Sequence, residues 1–180
     1  MALRTILTTE HDEEALRKRS RPVTAFNARL HGMLDDMAET LRESGGVGLA
    51  APQVGILRRM VVIEQEDGSI LELINPEIIA EEGEQVGPEG CLSLPGIWGE
   101  VKRPMTVTVR ALDRNGEPFE ATASGLIGRC FVHECEHLDG VLFTDRADHI
   151  LTQEELDALD ASAEEAMGEN LEGAMEEETA

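Results

Sequence analysis

The sequence predicts one domain that mixes helices with short, hairpin-linked strands. Three observations predict it: an apolar stripe at helical spacing over residues 26–41, two strand pairs joined by Asp-Gly and Asn-Gly turns, and a length of 180 residues. That length suits one real core and is short for two. Only four Phe, one Trp and no Tyr are present among 41% apolar residues, so the core is expected to be mainly aliphatic with Met as filler.

Taken in order, residues 1–23 read as a strand or coil followed by a basic run (Arg17, Lys18, Arg19, Arg21) that ends at Pro22. Phe26, Leu30, Met33, Leu34, Met37 and Leu41 recur as on one face of a helix, and Gly45-Gly46 ends the pattern. Residues 44–55 are too rich in glycine for a regular helix and predict a tight loop whose backbone can approach a ligand closely. Met60–Glu64 and Ile70–Ile74 flank Asp67-Gly68 as a hairpin, and the alternating Met105–Leu112 pairs with Phe119–Ala123 across Asn115-Gly116. Residues 83–99 are broken by Gly and Pro and are expected to be loop or irregular strand. A second helix is expected over about Gly125–Leu138, with Ser124 as N-cap. A third starts at Thr152, where Thr152-Gln153-Glu154-Glu155 fits a capping box and Leu151, Leu156 and Leu159 offer a docking stripe. Beyond about Met167 acids dominate and a frayed tail is expected.

The formal net charge is −22, which disfavours proteins that hold DNA or RNA by neutralising phosphates, and also anionic membrane surfaces. Residues 152–180 carry eleven acids and no Lys or Arg, so half the net charge lies there. No stretch approaches the ~20 apolar residues of a membrane span, and the N-terminus lacks a signal-peptide layout, so a cytoplasmic setting is expected. Three cysteines (Cys91, Cys130, Cys135) make a poor disulfide framework and fit a reducing compartment.

The sharpest motif is His133-Glu134-Cys135-Glu136-His137. Positions i and i+4 share a helix face, so two imidazoles there can bind one divalent ion, with Glu134 offset beside it as a base toward water. Two surface histidines on an acidic helix would give the same letters. The third ligand decides the class. A metzincin would continue with a further histidine, where this chain has Phe143; a distant Glu, as in thermolysin-like proteases, stays open. Cys91, in Pro88–Pro95, is the better candidate, since a Cys/His/His set leaves one tetrahedral position open, as catalytic sites do. Cys135 lies ~200° around the helix from His133 and reads as a buried apolar residue. Cys130, one turn before His133, reads as a core thiol near the site, with a ligand role as its alternative.

Three motifs thus stand in order: GVGLAAPQ (Gly46–Gln53), EGCLSLP (Glu89–Pro95) and HECEH (His133–His137). Together they resemble the signature motifs of the peptide deformylase family, over roughly residues 1–146. The resemblance implies an α+β fold with small, mostly antiparallel β-sheets around a central helix carrying HExxH. It implies a catalytic domain over residues 1–151, leaving 152–180 as an acidic C-terminal helix and tail. It implies hydrolysis of the formyl group of N-formylmethionyl peptides, with nascent chains at the ribosome as transient partners, and formate as by-product. The implied cofactor is one divalent metal, Fe2+ as the usual native ion with Zn2+, Ni2+ or Co2+ as substitutes, on Cys91 (as thiolate), His133 and His137. Glu134 is the implied proton carrier, and Gln53 and the Leu92 N–H are the implied donors to the oxyanion. Val47, Gly48, Gly90 and Leu126 are the implied substrate-binding residues, with the Cys130 neighbourhood beside the methionine pocket.

Two positions depart from the family pattern. Glu136 stands where Asp is usual, and Val132 where Gln is usual. An ion pair of Glu136 with Arg103 is expected, the longer carboxylate reaching the same partner. The acidic C-terminus is expected to be repelled by RNA, which leaves the Arg17–Arg21 run as the better candidate for ribosome contact and a solvated turn as its plainer reading. A metallopeptidase with another third ligand, and an inactive binder of formylated peptides, are the rival classes.

Overall fold

The computed structural model describes residues 2–162. Contacts divide the chain into two units, Met1–His149 and Ile150–Ala180.

The periodic stripe becomes helix α2 (Ala28–Ser44). Asn27 caps it, its side chain accepting from the N–H groups of Arg29 and Leu30 at 3.1 and 3.2 Å, which satisfies donors the first turn leaves orphaned. Gly45 stops it in the left-handed region at φ 67°, where a Cβ would be strained. Leu30, Leu34, Met37 and Leu41 are all buried, while Phe26 lies before the cap.

A five-stranded sheet runs in the order β1-β2-β3-β6-β7. Its strands are β1 (Gly48–Ala50), β2 (Met60–Glu64), β3 (Ile70–Glu82), β6 (Thr106–Leu112) and β7 (Pro118–Ser124), paired antiparallel throughout. β2 is apolar without alternation because both its faces are covered. Met60 and Val62 pack with the α2 stripe, while Val61 and Ile63 pack with Phe131, Val132 and Leu138 of helix α3 (Gly125–Leu138). Both expected hairpins are present. β3 runs further than expected, to Glu82, because its register shifts between Ile74 and Glu77. Pro76, which cannot donate to the ladder, falls inside that shift.

A second sheet has the order β4-β5-β8, with β4 (Gln85–Cys91), β5 (Leu94–Arg103) and β8 (His149–Ile150). This corrects the expected loop over residues 83–99. Gly and Pro there do not end the strands, since β4 is an edge strand and Leu92-Ser93 form a two-residue turn. The glycine-rich 44–55 segment is likewise more ordered than expected: β1 is followed by a 3-10 turn, Ala51–Val54. The N-terminus corrects the strand-or-coil expectation. Thr9–Leu16 is helix α1, with Leu16 fully buried beside Leu94, Val101 and Phe143. The basic run after it is engaged in ion pairs: Arg17 with Asp145 and Glu13, Lys18 with Glu14, Arg19 with Asp139.

α3 has the expected bounds. Ser124 occupies its N-cap position without a side-chain cap bond, its hydroxyl being paired with Thr106 at 2.8 Å. α3 packs across β1, β2, β6 and β7, which carries its inward face to the β1 edge of the sheet.

In the second unit, helix α4 spans 153–162. The capping box is reciprocal: the Thr152 N–H donates to Glu155 at 2.7 Å and the Glu155 N–H to the Thr152 hydroxyl at 3.3 Å. Leu159 is exposed. The expected frayed tail lies outside the described residues. No helix among the described residues is long and apolar enough to cross a membrane.

Candidate metal centre

Three segments supply the site. α3 presents His133 and His137 one turn apart with both rings buried; β4 ends on Cys91; and the 3-10 turn after β1 carries Gln53. The Nε2 atoms of His133 and His137 are 3.1 Å apart, and the Sγ of Cys91 lies 3.2 Å from Nε2 of His137. All three donor atoms fall within 4.8 Å of one another. Two nitrogens at ~2.05 Å from a tetrahedral ion would be ~3.3 Å apart. The donor set therefore fits one tetrahedral ion of first-row type, with three protein ligands and a fourth position for solvent or substrate.

Two of the three donors are held by further residues: the Cys91 sulfur accepts from the Ser93 N–H at 3.4 Å and the Gln53 amide at 3.5 Å, and His133 is held by Glu89. His133 donates Nδ1–H to Glu89 at 2.5 Å, which turns its Nε2 toward Cys91 and His137; burial opposes charge on this ring, but hydrogen bonds to Cys91 and Glu89 raise its pKa well above the usual imidazole range. Glu89 also accepts from Arg103 at 2.7 and 3.1 Å and from Arg129 at 2.8 Å. Burial works against charge on Glu89, yet the hydrogen bonds from His133 and Arg103 hold its carboxyl well below the usual range. Burial, reinforced by His133, depresses the pKa of His137, which keeps a ring lone pair available. The Nδ1 of His137 is buried with no hydrogen-bond partner among the described residues.

The expected Glu136–Arg103 pair is present at 2.8 Å. The second oxygen of Glu136 accepts from Arg146 at 2.8 Å, so this carboxylate bridges two guanidinium groups. Val132, the other departure, is buried in the apolar cluster between α3 and the five-stranded sheet.

Glu134 is buried beside Cys91, His133 and His137, and its Oε2 lacks a hydrogen-bond partner among the described residues. Burial pushes its carboxyl up to about 7, with Glu89 adding to the effect and His133 opposing it. Gly48 makes room for it: a Cβ on Gly48 would meet the Cys130 sulfur at 2.5 Å and the Glu134 Oε1 at 2.8 Å. Gln53 is aimed by its neighbours. Its carbonyl accepts from the Ala50 N–H at 2.8 Å, while Nε2 donates to the Ser93 hydroxyl at 3.2 Å and reaches the Cys91 sulfur at 3.5 Å.

A cleft of about 410 Å³ opens over these groups. Of the residues singled out in the sequence, Val47, Gly48, Gln53, Gly90, Cys91, Leu92, Leu126, His133 and Glu134 line it. His137 sits behind it, buried. Cys130 lines the cleft but lies outside the group of three donors, and Cys135 is buried away from it. Burial pushes the thiols of Cys130 and Cys135 up, that of Cys135 to about 12, so both stay protonated.

Several positioning groups were not singled out in the sequence. Glu89 and Arg129 form the buried cluster behind His133, and Ser93 holds Gln53. Glu89 adjoins a motif already identified and was within reach of sequence reasoning; Arg129 was not, since a helical arginine ordinarily reads as solvent-facing. The N-terminal segment ties two motif loops together through backbone bonds, Leu7 N–H to the Gln53 carbonyl at 2.7 Å and Thr9 N–H to the Ser93 carbonyl at 2.9 Å.

Comparison with known proteins adds to this geometry. Residues 3–153 match the sequence model of the polypeptide deformylase family. The chain is 55% identical over 147 residues to the peptide deformylase of Caldanaerobacter subterraneus subsp. tengcongensis, covering 82% of this chain and 92% of that one. It is 46% identical over 157 residues to peptide deformylase 1 of Bacillus subtilis, covering 87% and 97%. Among solved structures, the peptide deformylase of Thermotoga maritima superposes with a TM-score of 0.77 at 38% identity, covering 82% of this chain and 99% of that one. The peptide deformylase of Synechococcus elongatus in complex with actinonin gives a TM-score of 0.76 at 38% identity, covering 86% and 82%.

Proposed function

The chain belongs to the polypeptide deformylase family, and from that premise we propose that Cys91, His133 and His137 hold one divalent ion, Fe2+ in its native state with Zn2+, Ni2+ or Co2+ able to replace it. The protein is a metal-dependent hydrolase that removes the formyl group from the N-terminal formylmethionine of nascent polypeptides and releases formate. The observation that supports the residue assignment is the convergence of one sulfur and two ring nitrogens within 4.8 Å beside the buried Glu134 carboxyl, whose Oε2 has no hydrogen-bond partner among the described residues.

The substrate enters as an extended peptide. β1 and β4 are both edge strands in the sheet orders and both border the cleft, so the peptide backbone can pair beside Gly48 and Gly90. Val47, Leu126 and the Cys130 neighbourhood take the methionine side chain. When bound, the ion supplies Lewis acidity toward water and carbonyl oxygen. Glu134 accepts a proton from the attacking water as its oxygen bonds to the formyl carbon. The Nε2–H of Gln53 and the Leu92 N–H then face the developing oxyanion. The C–N bond breaks, Glu134 returns the proton to the amine nitrogen, and formate and the free amino terminus leave. A carboxyl held near neutrality suits both halves of that transfer.

The expected partners are formylated nascent chains met transiently at the ribosome in the cytoplasm, without DNA or membrane binding. The acidic residues 152–180 disfavour RNA. The Arg17–Arg21 run offers RNA little free charge, because Arg17, Lys18 and Arg19 are already paired with acids.

The test is anaerobic formate release from formyl-Met-Ala-Ser, with metal content measured on the same sample. The Fe2+-loaded protein turns over. Glu134→Gln keeps the metal and loses about 10²–10⁴-fold in kcat, and Cys91→Ser loses or changes its metal. No formate from metal-replete protein, or full metal retention in Cys91→Ser, overturns the assignment.

A further inference from the structure

Residues 2–8, ahead of α1, have no regular secondary structure, yet the segment is tied down on both sides. The Ala2 N–H donates to Asp36 of α2 at 2.7 Å, and the Arg4 guanidinium pairs with the same carboxylate at 2.9 Å. Downstream, Leu16 is fully buried, and the Ser20 N–H donates to the Leu138 carbonyl at the end of α3 at 2.8 Å. Between these anchors, Leu7 donates its N–H to the Gln53 carbonyl at 2.7 Å and Thr9 donates its N–H to the Ser93 carbonyl at 2.9 Å. The two acceptors belong to different sheets. Gln53 follows β1 of the five-stranded sheet, and Ser93 lies in the turn between β4 and β5 of the other.

Thr8, between the two donors, is extended at φ −123° and ψ 152°. In extended chain the N–H groups of residues i and i+2 point the same way, ~6.6 Å apart. The two carbonyls are thus held at a spacing set by covalent geometry. Ser93 is fully buried and engages all three of its polar groups at this junction: its carbonyl accepts from Thr9, its hydroxyl accepts from Nε2 of Gln53 at 3.2 Å, and its N–H reaches the Cys91 sulfur at 3.4 Å. A closed ring of hydrogen bonds therefore runs from Leu7 through Gln53 and Ser93 back to Thr9. Leu92, whose N–H is the second donor assigned to the oxyanion, is joined to Ser93 by one planar peptide unit. We propose that Leu7 and Thr9 are positioning residues for the deformylation, their main-chain N–H groups setting the separation of the Gln53 amide and the Leu92 N–H. This rests on the deformylase reading and adds a remote part to its oxyanion site. Donors displaced from the developing charge cost rate at the transition state, while binding of the peptide in its ground state is untouched.

Thr9→Pro deletes one of the two N–H groups and disturbs little else. Thr9 is the first residue of α1, where proline fits a helix, and Thr8 before it already has the extended conformation that a following proline demands. An α-hydroxy acid in place of Thr9 deletes the same N–H without a ring. The experiment measures formate release from formyl-Met-Ala-Ser by the metal-loaded full chain, with metal content on the same samples. In both deletion variants kcat falls about 10-fold, less than the 10²–10³-fold cost of losing an oxyanion donor outright. KM and metal content stay at their wild-type values, and Thr9→Ala, which keeps the N–H, restores kcat. In a Gln53→Ala background the deletion costs less than in the wild type, because only one of the two donors is left to misplace. A kcat within about twofold of wild type in both deletion variants, a loss that Thr9→Ala shares, a loss expressed in KM or metal content, or a loss that multiplies in full with Gln53→Ala overturns the proposal. Absence of formate from the metal-loaded wild type instead removes the deformylase reading on which it stands.

Discussion

Replacing Glu89 by Gln removes one negative charge and almost no volume from a buried polar cluster. Glu89 is 5% exposed, and its two oxygens receive four donors: two from Arg103, one from Arg129 and one from His133. After the change, Arg103 keeps Glu136 at 2.8 Å. Among the described contacts Arg129 keeps only the Val101 carbonyl at 3.0 Å, so a buried guanidinium is left without a carboxylate. The new amide also brings two N–H groups into a site that holds only donors, and one of them faces Arg103, Arg129 or His133 unfavourably. Breaking a buried pair by removing one partner costs about 3–5 kcal/mol. Because Glu136 still compensates Arg103, the lower end applies, about 3 kcal/mol, or a Tm lower by roughly 6–12 °C for a chain of this size. His133 loses the acceptor that orients its ring, so metal affinity falls about 10- to 100-fold. Thermal unfolding of the metal-free protein measures the first effect without contribution from metal linkage. Competition for Zn2+ against a chelating dye measures the second. A Tm within about 2 °C of wild type together with an affinity within about 3-fold would show that the cluster neither holds the fold nor orients His133.

Two further changes probe other parts of the structure. Gly48→Ala places a methyl 2.8 Å from the Glu134 Oε1 and 2.5 Å from the Cys130 sulfur, displacing the base; kcat falls about 100-fold with metal content unchanged, and a kcat within about twofold of wild type contradicts the close approach. Asp145, held below the usual carboxylate range by its hydrogen bond from Arg17, stabilises the fold above its unfolded pKa of about 3.9, and that contribution fades as pH falls through the lower folded value. Both side chains are more than a third exposed, so the pair is worth at most about 1 kcal/mol. Urea midpoints of wild type and Asp145→Asn should differ at pH 7, and the gap should shrink as the pH is lowered below the unfolded value; a gap that stays the same size at acidic pH refutes the pairing.

Helices with a regular apolar stripe or a clear cap were legible in the sequence. α2 is set by Leu30, Leu34, Met37 and Leu41, and α4 begins at the Thr152–Glu155 box, because such signals are local and need no partner to be read. The two hairpins were legible for the same reason, since Asp67-Gly68 and Asn115-Gly116 fix tight turns. α1 was not. Its sequence is polar and short, and it forms where Leu16 finds the cavity between Leu94 and Phe143. β4 and β5 were obscured by Gly and Pro: those of β4 cost little because it is an edge strand, and in the central β5 Pro95 and Gly96 fall at the strand's start.

The sequence by itself determined which residue types could meet: two imidazoles one helical turn apart, an acid between them, and a cysteine and a glutamine in separate glycine-rich segments. Chain connectivity fixes only near neighbours, so their convergence was decided by the tertiary structure, in which α3 crosses to the β1 edge and the β4–β5 turn returns Cys91 to it. The same holds for the partners that orient them. Arg103 and Arg129 come from different elements, and only burial around Glu89 makes their charges matter, because a guanidinium in water has no reason to choose one carboxylate.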